Sequence, residues 1–349
     1  MSTTQTVLKT GLGERLISDD VEGKAFDKLP VIDLTQITSS DLSQRKQVAA
    51  EVQAACIESG FFYIKNHGID QKVLDEAFNQ ARQFFDQPLE KKMLVDLHKG
   101  NSFKGYAPLM GEQVDPASRG DVHESWDMGA DDQQFSSDKQ NSGNMWPPAK
   151  DLPGFKPALQ KTWDEIMSLG KRLFPIFALA LDLPEDYFDK HITNPGSVMR
   201  ILNYPPQFGP VDLAEIGIGA HTDYEMFTLL VQHGDVQALQ VLNGAGDWVQ
   251  APPIPGTIVL NLGDQLQRWT NGVFKSTVHR AINRTGQARM SMPFFFGVNY
   301  DTLIEPLPQT VTDSRPAKYE PVLAGKYVEQ RIAETYIKVD PNTGEKAQV

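Results

Sequence analysis

His221-Thr222-Asp223, answered far downstream by His279, asks for a particular kind of fold. Residues i and i+2 of a strand point to the same side of a sheet, so one strand can aim His221 and Asp223 at one metal. The third ligand must then come from another strand, across the whole of residues 224–278. Two imidazoles and one carboxylate hold iron(II) on one face and leave the opposite face open. Arg289 and Ser291 repeat the i, i+2 spacing, offering a guanidinium fork and a hydroxyl suited to gripping a carboxylate.

A His-x-acid match alone decides little. Seven His and 45 acidic residues in 349 positions predict roughly one match by chance. The chain holds two, His221-Thr-Asp223 and His233-Gly-Asp235. His221 leads into Tyr224–Gln232, a run of β-formers, and is expected to open a buried strand. His233 precedes Gly234 and reads, with Asp235, as a solvated turn. His279 in Lys275–Ile282 and the Arg289-x-Ser291 run single out the first pair. His123 and Glu124 are adjacent, so on a strand they face opposite ways and cannot share a metal.

The surrounding text favours strands after Ser197. Short β-like runs at 198–202, 224–232, 239–242, 248–250, 257–261, 274–282 and 289–298 are separated by Gly and Pro, the texture of a sandwich or jelly roll. Before it, Pro30–Leu34 and Phe61–Lys65 read as strands. Helices are expected from an N-cap within Ser39–Leu42 to Gly60, from Asp70 to Phe85, and through Trp163 to Leu181 between Pro157 and Pro184. Residues 97–157 form a long irregular stretch, and such loops usually carry function. Tyr319–Ile337 reads as a helix. The expected organisation is an arm over 1–28, a helical and mixed buttress over 29–190, a catalytic core over 191–318, and a closing helix and tail over 319–349, all in one unit.

These residues carry a resemblance. Gly217–Tyr224, Asn261-Leu-Gly-Asp264, Ser276–Arg280 and Arg289–Phe296 are similar to the isopenicillin N synthase-like group of iron(II)/2-oxoglutarate-dependent oxygenases. Leu29–Leu34, Gly60–Gly68, Gly105-Tyr106 and His123–Gly129 match the same group's N-terminal signposts, so the likeness spans about residues 29–337. It implies an α+β chain with a mainly β core, a distorted double-stranded β-helix (jelly roll, cupin-like). N-terminal helices and a C-terminal helix would buttress it. It implies His221, Asp223 and His279 as Fe(II) ligands. Arg289, Ser291 and Tyr204 would bind 2-oxoglutarate, with O2 as the other co-substrate and succinate and CO2 as products. One departure stands out: many plant members have Asn two residues before that Tyr, where this chain has Leu202 with Asn203 beside it.

Composition removes other classes. A net charge of −12 argues against nucleic-acid or anionic-membrane partners, which reward basic surfaces. Cys56 is the only cysteine, expected to be a buried structural thiol in a reducing compartment. No apolar signal-peptide core appears in Met1–Phe26, so a cytoplasmic protein is expected.

The substrate is expected to be a small organic molecule, hydroxylated, desaturated or cyclised in specialised metabolism. Tyr106, Trp126, Met226, Phe227, Leu239 and Phe295 are candidates for an aromatic pocket, while Lys104, Arg119 and Arg268 read as solvated surface. Some relatives keep the Arg-x-Ser pair yet use no ordinary 2-oxoglutarate coupling, so an iron oxidase of the isopenicillin N synthase or ethylene-forming kind is the alternative. A zinc hydrolase would leave Arg289-x-Ser291 without a role. A non-catalytic jelly roll with a structural metal would ordinarily show four ligands rather than three. Oligomeric state is not legible.

Overall fold

Helix starts here are chemical. Asp41 Oδ1 accepts from the Ser43 amide at 2.8 Å and Asp70 Oδ1 from the Lys72 amide at 3.0 Å, so each caps amides that have no partner inside the helix. They open α1 (Leu42–Glu58) and α2 (Gln71–Phe85). Along α2 the residues Val73, Leu74, Ala77, Phe78, Ala81, Phe84 and Phe85 recur at helical spacing and are all buried. A longer helix, α4 (Phe155–Ala180), follows the short α3 (Leu89–Lys92). Pro157 is its third residue, where a missing amide proton costs nothing; Pro175 lies within it. These are the expected helices, with the third beginning two residues before Pro157 rather than after it.

The computed structural model describes residues 6–10, 13–17, 26–100, 104–115, 118–130, 143–210, 212–335, 337–339 and 346–348. Its strands are β1 (Thr6–Thr10), β2 (Gly13–Ile17), β3 (Val31–Asp33), β4 (Phe61–Lys65), β5 (Gly105–Ala107), β6 (Glu124–Gly129), β7 (Val198–Tyr204), β8 (Ile218–His221) and β9 (Phe227–Gln232). They continue with β10 (Leu239–Leu242), β11 (Trp248–Gln250), β12 (Thr257–Leu262), β13 (His279–Ala281), β14 (Arg289–Phe296), β15 (Leu303–Ile304), β16 (Val322–Leu323), β17 (Ile337–Val339) and β18 (Lys346–Gln348). Two short helices complete the set, α5 (Asp264–Trp269) and α6 (Ala324–Thr335).

Two sheets face each other. The large one runs β3-β4-β12-β9-β14-β7-β6-β5, and the small one β11-β10-β13-β8. This is the expected jelly roll with helical buttresses. Strands from the N-terminal half sit at both ends of the large sheet, which continues the core's own hydrogen-bond ladder.

Several expectations need correcting. The stretch 97–157 holds two strands, β5 and β6, in the large sheet; its residues 101–103, 116–117 and 131–142 lie outside the described residues. The first residues are not simply an arm, since β1 and β2 pair antiparallel, and the tail contributes the β17–β18 pair. The closing helix starts at Ala324, because Val322 and Leu323 first pair with β15. The run 224–232 becomes strand only at Phe227, and 274–282 only at His279.

The pleat of the large sheet separates core from cavity. On β14, Met290, Met292, Phe294 and Phe296 join the main apolar cluster, while Arg289, Ser291, Pro293 and Phe295 line the cavity between the sheets. β7 repeats this: Met199 and Ile201 enter the core; Val198, Arg200, Leu202 and Tyr204 line the cavity. Helix α4 covers the core face, with Trp163 against Phe294 at 4.7 Å and Phe174 against Phe296 at 5.4 Å between ring centroids. Gly170 permits the approach, since a Cβ there would fall 1.9 Å from the Phe296 ring. Gly170→Val should therefore force the helix off the sheet and lower stability by about 1–3 kcal/mol, as overpacking does. Urea unfolding measures it; an unchanged midpoint would show that the ring moves aside freely.

Candidate active site

The mouth of the jelly roll gathers His221, Asp223 and His279. His221 and His279 are directly opposed across β8 and β13, with ring centroids 4.2 Å apart. Asp223 Oδ1 lies 3.7 Å from Nε2 of each histidine, and one ligand atom from each of the three falls within 4.8 Å of the others. The route to this geometry differs from the i, i+2 argument. His221 ends its strand and Asp223 lies past it, in the crossover from the small sheet to the large one. There its carbonyl accepts from the Asp264 amide at 2.8 Å, and the Met226 carbonyl accepts from Gly263. Backbone groups that a strand would pair with a neighbour are satisfied by the start of α5 instead.

Each candidate ligand atom is oriented from behind. His221 Nδ1 is 2.8 Å from the Gly219 carbonyl and His279 Nδ1 is 3.1 Å from the Thr277 carbonyl, which places the proton on Nδ1 and turns a bare Nε2 inward. Thr228 Oγ1 and Asn261 Nδ2 both donate to Asp223 Oδ2, leaving Oδ1 to face the histidines. Burial, then the neighbouring His279, pushes the His221 pKa down to about 4, so its imidazole is neutral. Burial opposes ionisation of Asp223, but the two histidines and its hydrogen bonds outweigh it and hold its pKa below the ordinary range. Neutral imidazoles and an ionised carboxylate are the forms that ligate.

Asp264 ties the ligand segments together. It accepts from Ser276 Oγ at 2.8 Å, from Thr222 Oγ1 at 3.3 Å and from Tyr327 Oη of α6 at 2.7 Å. One buried carboxylate thus holds the residue between two candidate ligands, the approach to the third, and the C-terminal helix. Ile332 of that helix lines the cavity.

Arg289 lies deeper, 3% exposed. Its guanidinium donates to Ser291 Oγ and Gln232 Oε1, each at 3.2 Å, and packs 4.8 Å from the centre of the Tyr204 ring. Tyr204 is its register partner on β7. No carboxylate pairs with it among the described residues, and its buried Nε has no hydrogen-bond partner. A buried cation left this way is costly unless a ligand supplies the anion.

The neighbouring strands of the same sheet bring charges that are paired. Arg200 forms a fork with Asp127 at 2.8 and 2.7 Å and donates to Glu112 Oε2 at 2.9 Å, an oxygen also 3.1 Å from His123 Nε2. Glu225, 6% exposed, also lines the cavity; burial first and the charge of Asp223 second push its pKa up to about 8.

Other sequence candidates fall elsewhere. Leu239 and Phe295 line the cavity. Tyr106, Trp126, Met226 and Phe227 do not: all four are buried in the main core, on the other side of the pleat or in the turn before β9. Lys104, expected at the surface, is 4% exposed, lines the cavity and donates to the Ala130 carbonyl; Gly129, which lacks a Cβ, makes the room. Arg268 is half-buried over Tyr319 and Tyr327, whereas Arg119 is exposed and pairs with Asp212 and Glu215. His233 is half-buried against Phe78 and far from the ligand cluster in the fold, at the turn after β9; Asp235 is exposed. His123 and Glu124 do face apart, Glu124 meeting Lys92, Tyr106 and Asn203. Leu202 faces the cavity and Asn203 the other side. Cys56 is buried.

Known proteins share this plan. Residues 29–149 match the model of the non-haem dioxygenase N-terminal region named for morphine synthesis, and residues 195–298 that of the 2OG-Fe(II) oxygenase superfamily. A 2-oxoglutarate-Fe(II) type oxidoreductase, ppzC, of Metarhizium majus is 34% identical over 95% of this chain and 92% of its own length. The chain belongs to the 2OG-Fe(II) oxygenases. A homoarginine-6-hydroxylase of Glycine max is 32% identical over 89% of this chain and 98% of its own. A Neurospora crassa protein solved in complex with alpha-KG and thymine superposes with a TM-score of 0.78 at 30% identity, covering 88% of this chain and 96% of that one. The protein is therefore an iron(II)- and 2-oxoglutarate-dependent oxidoreductase, and the cluster of donors described above fits that metal. Among the described residues no helix is long and apolar enough to cross a membrane.

The residues behind the ligands generate a prediction. Thr228→Val and Asn261→Leu should each weaken iron(II) binding by about 10- to 100-fold, the usual cost of losing a partner behind a ligand. His233→Ala should leave affinity unchanged. Anaerobic titration with iron(II) checks both; equal affinity in all three variants would remove the orienting role.

Proposed function

We propose that His221, Asp223 and His279 hold the iron, and that Arg289, Ser291 and Tyr204 bind the distal carboxylate of 2-oxoglutarate, so that a small organic molecule is oxidised at the cavity's open side. The observation that supports this most is the buried Arg289 fork with no acid to pair with. When bound, iron(II) supplies O2 activation coupled to loss of CO2 from 2-oxoglutarate. The chain's own part is positional. Arg289 pairs bidentately with a carboxylate, Ser291 and Tyr204 add hydroxyls on the same face, and the apolar Leu202, Leu230 and Leu239 exclude water. One similar protein is a homoarginine hydroxylase and another was solved with thymine bound, both small molecules, which supports a substrate of that size in specialised metabolism. The single buried Cys56 supports a reducing, cytoplasmic setting. We assign residues 29–318 to one catalytic unit, closed by α6, on the continuity of the large sheet.

Arg289→Ala should weaken 2-oxoglutarate binding by about 10- to 150-fold, since a hydrogen bond to a charged group is worth about 1.5–3 kcal/mol. Arg289→Lys should recover only part, because a point charge cannot reproduce the fork. Ser291→Ala should cost about 1 kcal/mol. Iron occupancy should stay constant in all three. The charge-transfer absorption of the anaerobic iron(II) protein titrated with 2-oxoglutarate reads each affinity. No such band in the unmutated protein would reject 2-oxoglutarate chelation and put an iron oxidase in its place.

A further inference from the structure

Among the described residues, every acid lining the cavity has a partner except one. Asp127 and Glu112 are taken by Arg200, and Asp223 by Thr228, Asn261 and its place among the histidines. Glu225 is 6% exposed and lines the same cavity, yet its carboxyl forms no hydrogen bond or ion pair with another described residue; it reaches only its own backbone amide. Gly297 stands beside it, where a Cβ would meet the Gly196 carbonyl oxygen at 2.3 Å and Glu225 Cγ at an ordinary contact distance of 3.4 Å. The neighbouring backbone is anchored independently of the carboxyl, since the Glu225 carbonyl accepts from the Gln265 amide. The side chain is therefore not needed to hold its own loop.

A polar group buried without a partner costs folding free energy, and that cost is recovered when a ligand completes its hydrogen bonds. Resting on the oxygenase reading above, we propose that Glu225 is the substrate-recognising residue and that the substrate presents an N–H edge to it. A carboxyl oxygen accepts from N–H in either protonation state: ionised, its two oxygens accept from two N–H groups of a guanidinium, and protonated, it accepts from the N–H of a cis-amide while donating its O–H to the carbonyl beside it. Two sources offer that edge: a cationic guanidinium or amidinium, and the cis-amide of a neutral nitrogen heterocycle. Glu225 lies two residues from Asp223, so a substrate held by it sits beside the candidate metal ligands.

The test uses the full-length protein loaded anaerobically with iron(II) and 2-oxoglutarate. The perturbation of its charge-transfer band is titrated with L-homoarginine, thymine and 1,3-dimethylthymine. At least one of the first two should bind and the dimethylated compound should not. Glu225→Leu should weaken the bound probe by about 10- to 100-fold. Glu225→Gln separates the sources: it should retain a neutral heterocycle to within a few-fold and lose a cation as badly as the leucine variant. The 2-oxoglutarate band must still form in each variant, which keeps misfolding from being read as loss of recognition. Unchanged affinity in Glu225→Leu, tight binding of 1,3-dimethylthymine, or no response to either N–H compound would each overturn the proposal. Absence of the band itself would instead sink the oxygenase reading.

Discussion

The pleat of β14 is the constraint on which the rest of the site depends. An unpaired guanidinium can be kept inside a protein only if something stronger prevents the strand from turning it out. Met290, Met292, Phe294 and Phe296 supply that restraint, since each buried side chain of this size stabilises by about 1.5–3 kcal/mol. A slip of one residue would expose all four and bury Arg289 and Ser291 against α4. The aromatic face therefore fixes where the polar face points. Tyr204, as the register partner of Arg289, is fixed by the same ladder.

The metal-binding side obeys a different rule. His221 and His279 are held opposite each other by the β8–β13 ladder, but Asp223 lies past its strand, where local hydrogen bonds must replace a ladder. Asp264 does most of this, joining Thr222, Ser276 and Tyr327 through one carboxylate. Burial raises its pKa, with hydrogen bonds from Tyr327, Ser276 and Thr222 acting the other way. Because Tyr327 belongs to α6, the seating of the C-terminal helix and the geometry of the crossover are parts of one network. The helix that brings Ile332 to the cavity is thus tied to the loop that carries Asp223.

Periodicity made the large sheet and the helices legible, because apolar spacing and capping Asp residues are local signals. The i, i+2 argument located Arg289 and Ser291 on the correct face, and the same parity reaches Phe295. Carried across β7 and β9 it would have separated Arg200 from Ile201 and Thr228 from Phe227, and so removed Phe227 from the pocket. Trp126 and Tyr106 are misread for a related reason: aromatic residues in a Gly- and Asn-rich stretch resemble loop contacts, whereas they pair on β5 and β6 and face the core. Thr228 and Asn261 carry no signal that marks a residue behind a ligand, since a buried Thr or Asn is ordinary until its partner is known. Lys104 is the extreme case, a lysine whose burial depends on a distant glycine.

Arg200 and Arg289 show how the two halves of the cavity differ. Both are arginines on adjacent strands of one sheet, and both point between the sheets. Arg200 meets two carboxylates, so its charge is compensated and its fork is spent on shaping the wall. Arg289 meets a hydroxyl, an amide oxygen and a ring, which orient it without neutralising it. The same contrast separates Asp127 from Glu225. Breaking a buried pair costs several kcal/mol because one charge is stranded, so a charge that the fold itself leaves stranded is a standing cost with no structural return. Such a cost persists where a ligand removes it during function. Arg289 and Glu225 line one cavity without a compensating partner, while Arg200, Asp127 and Glu112 in the same lining compensate one another.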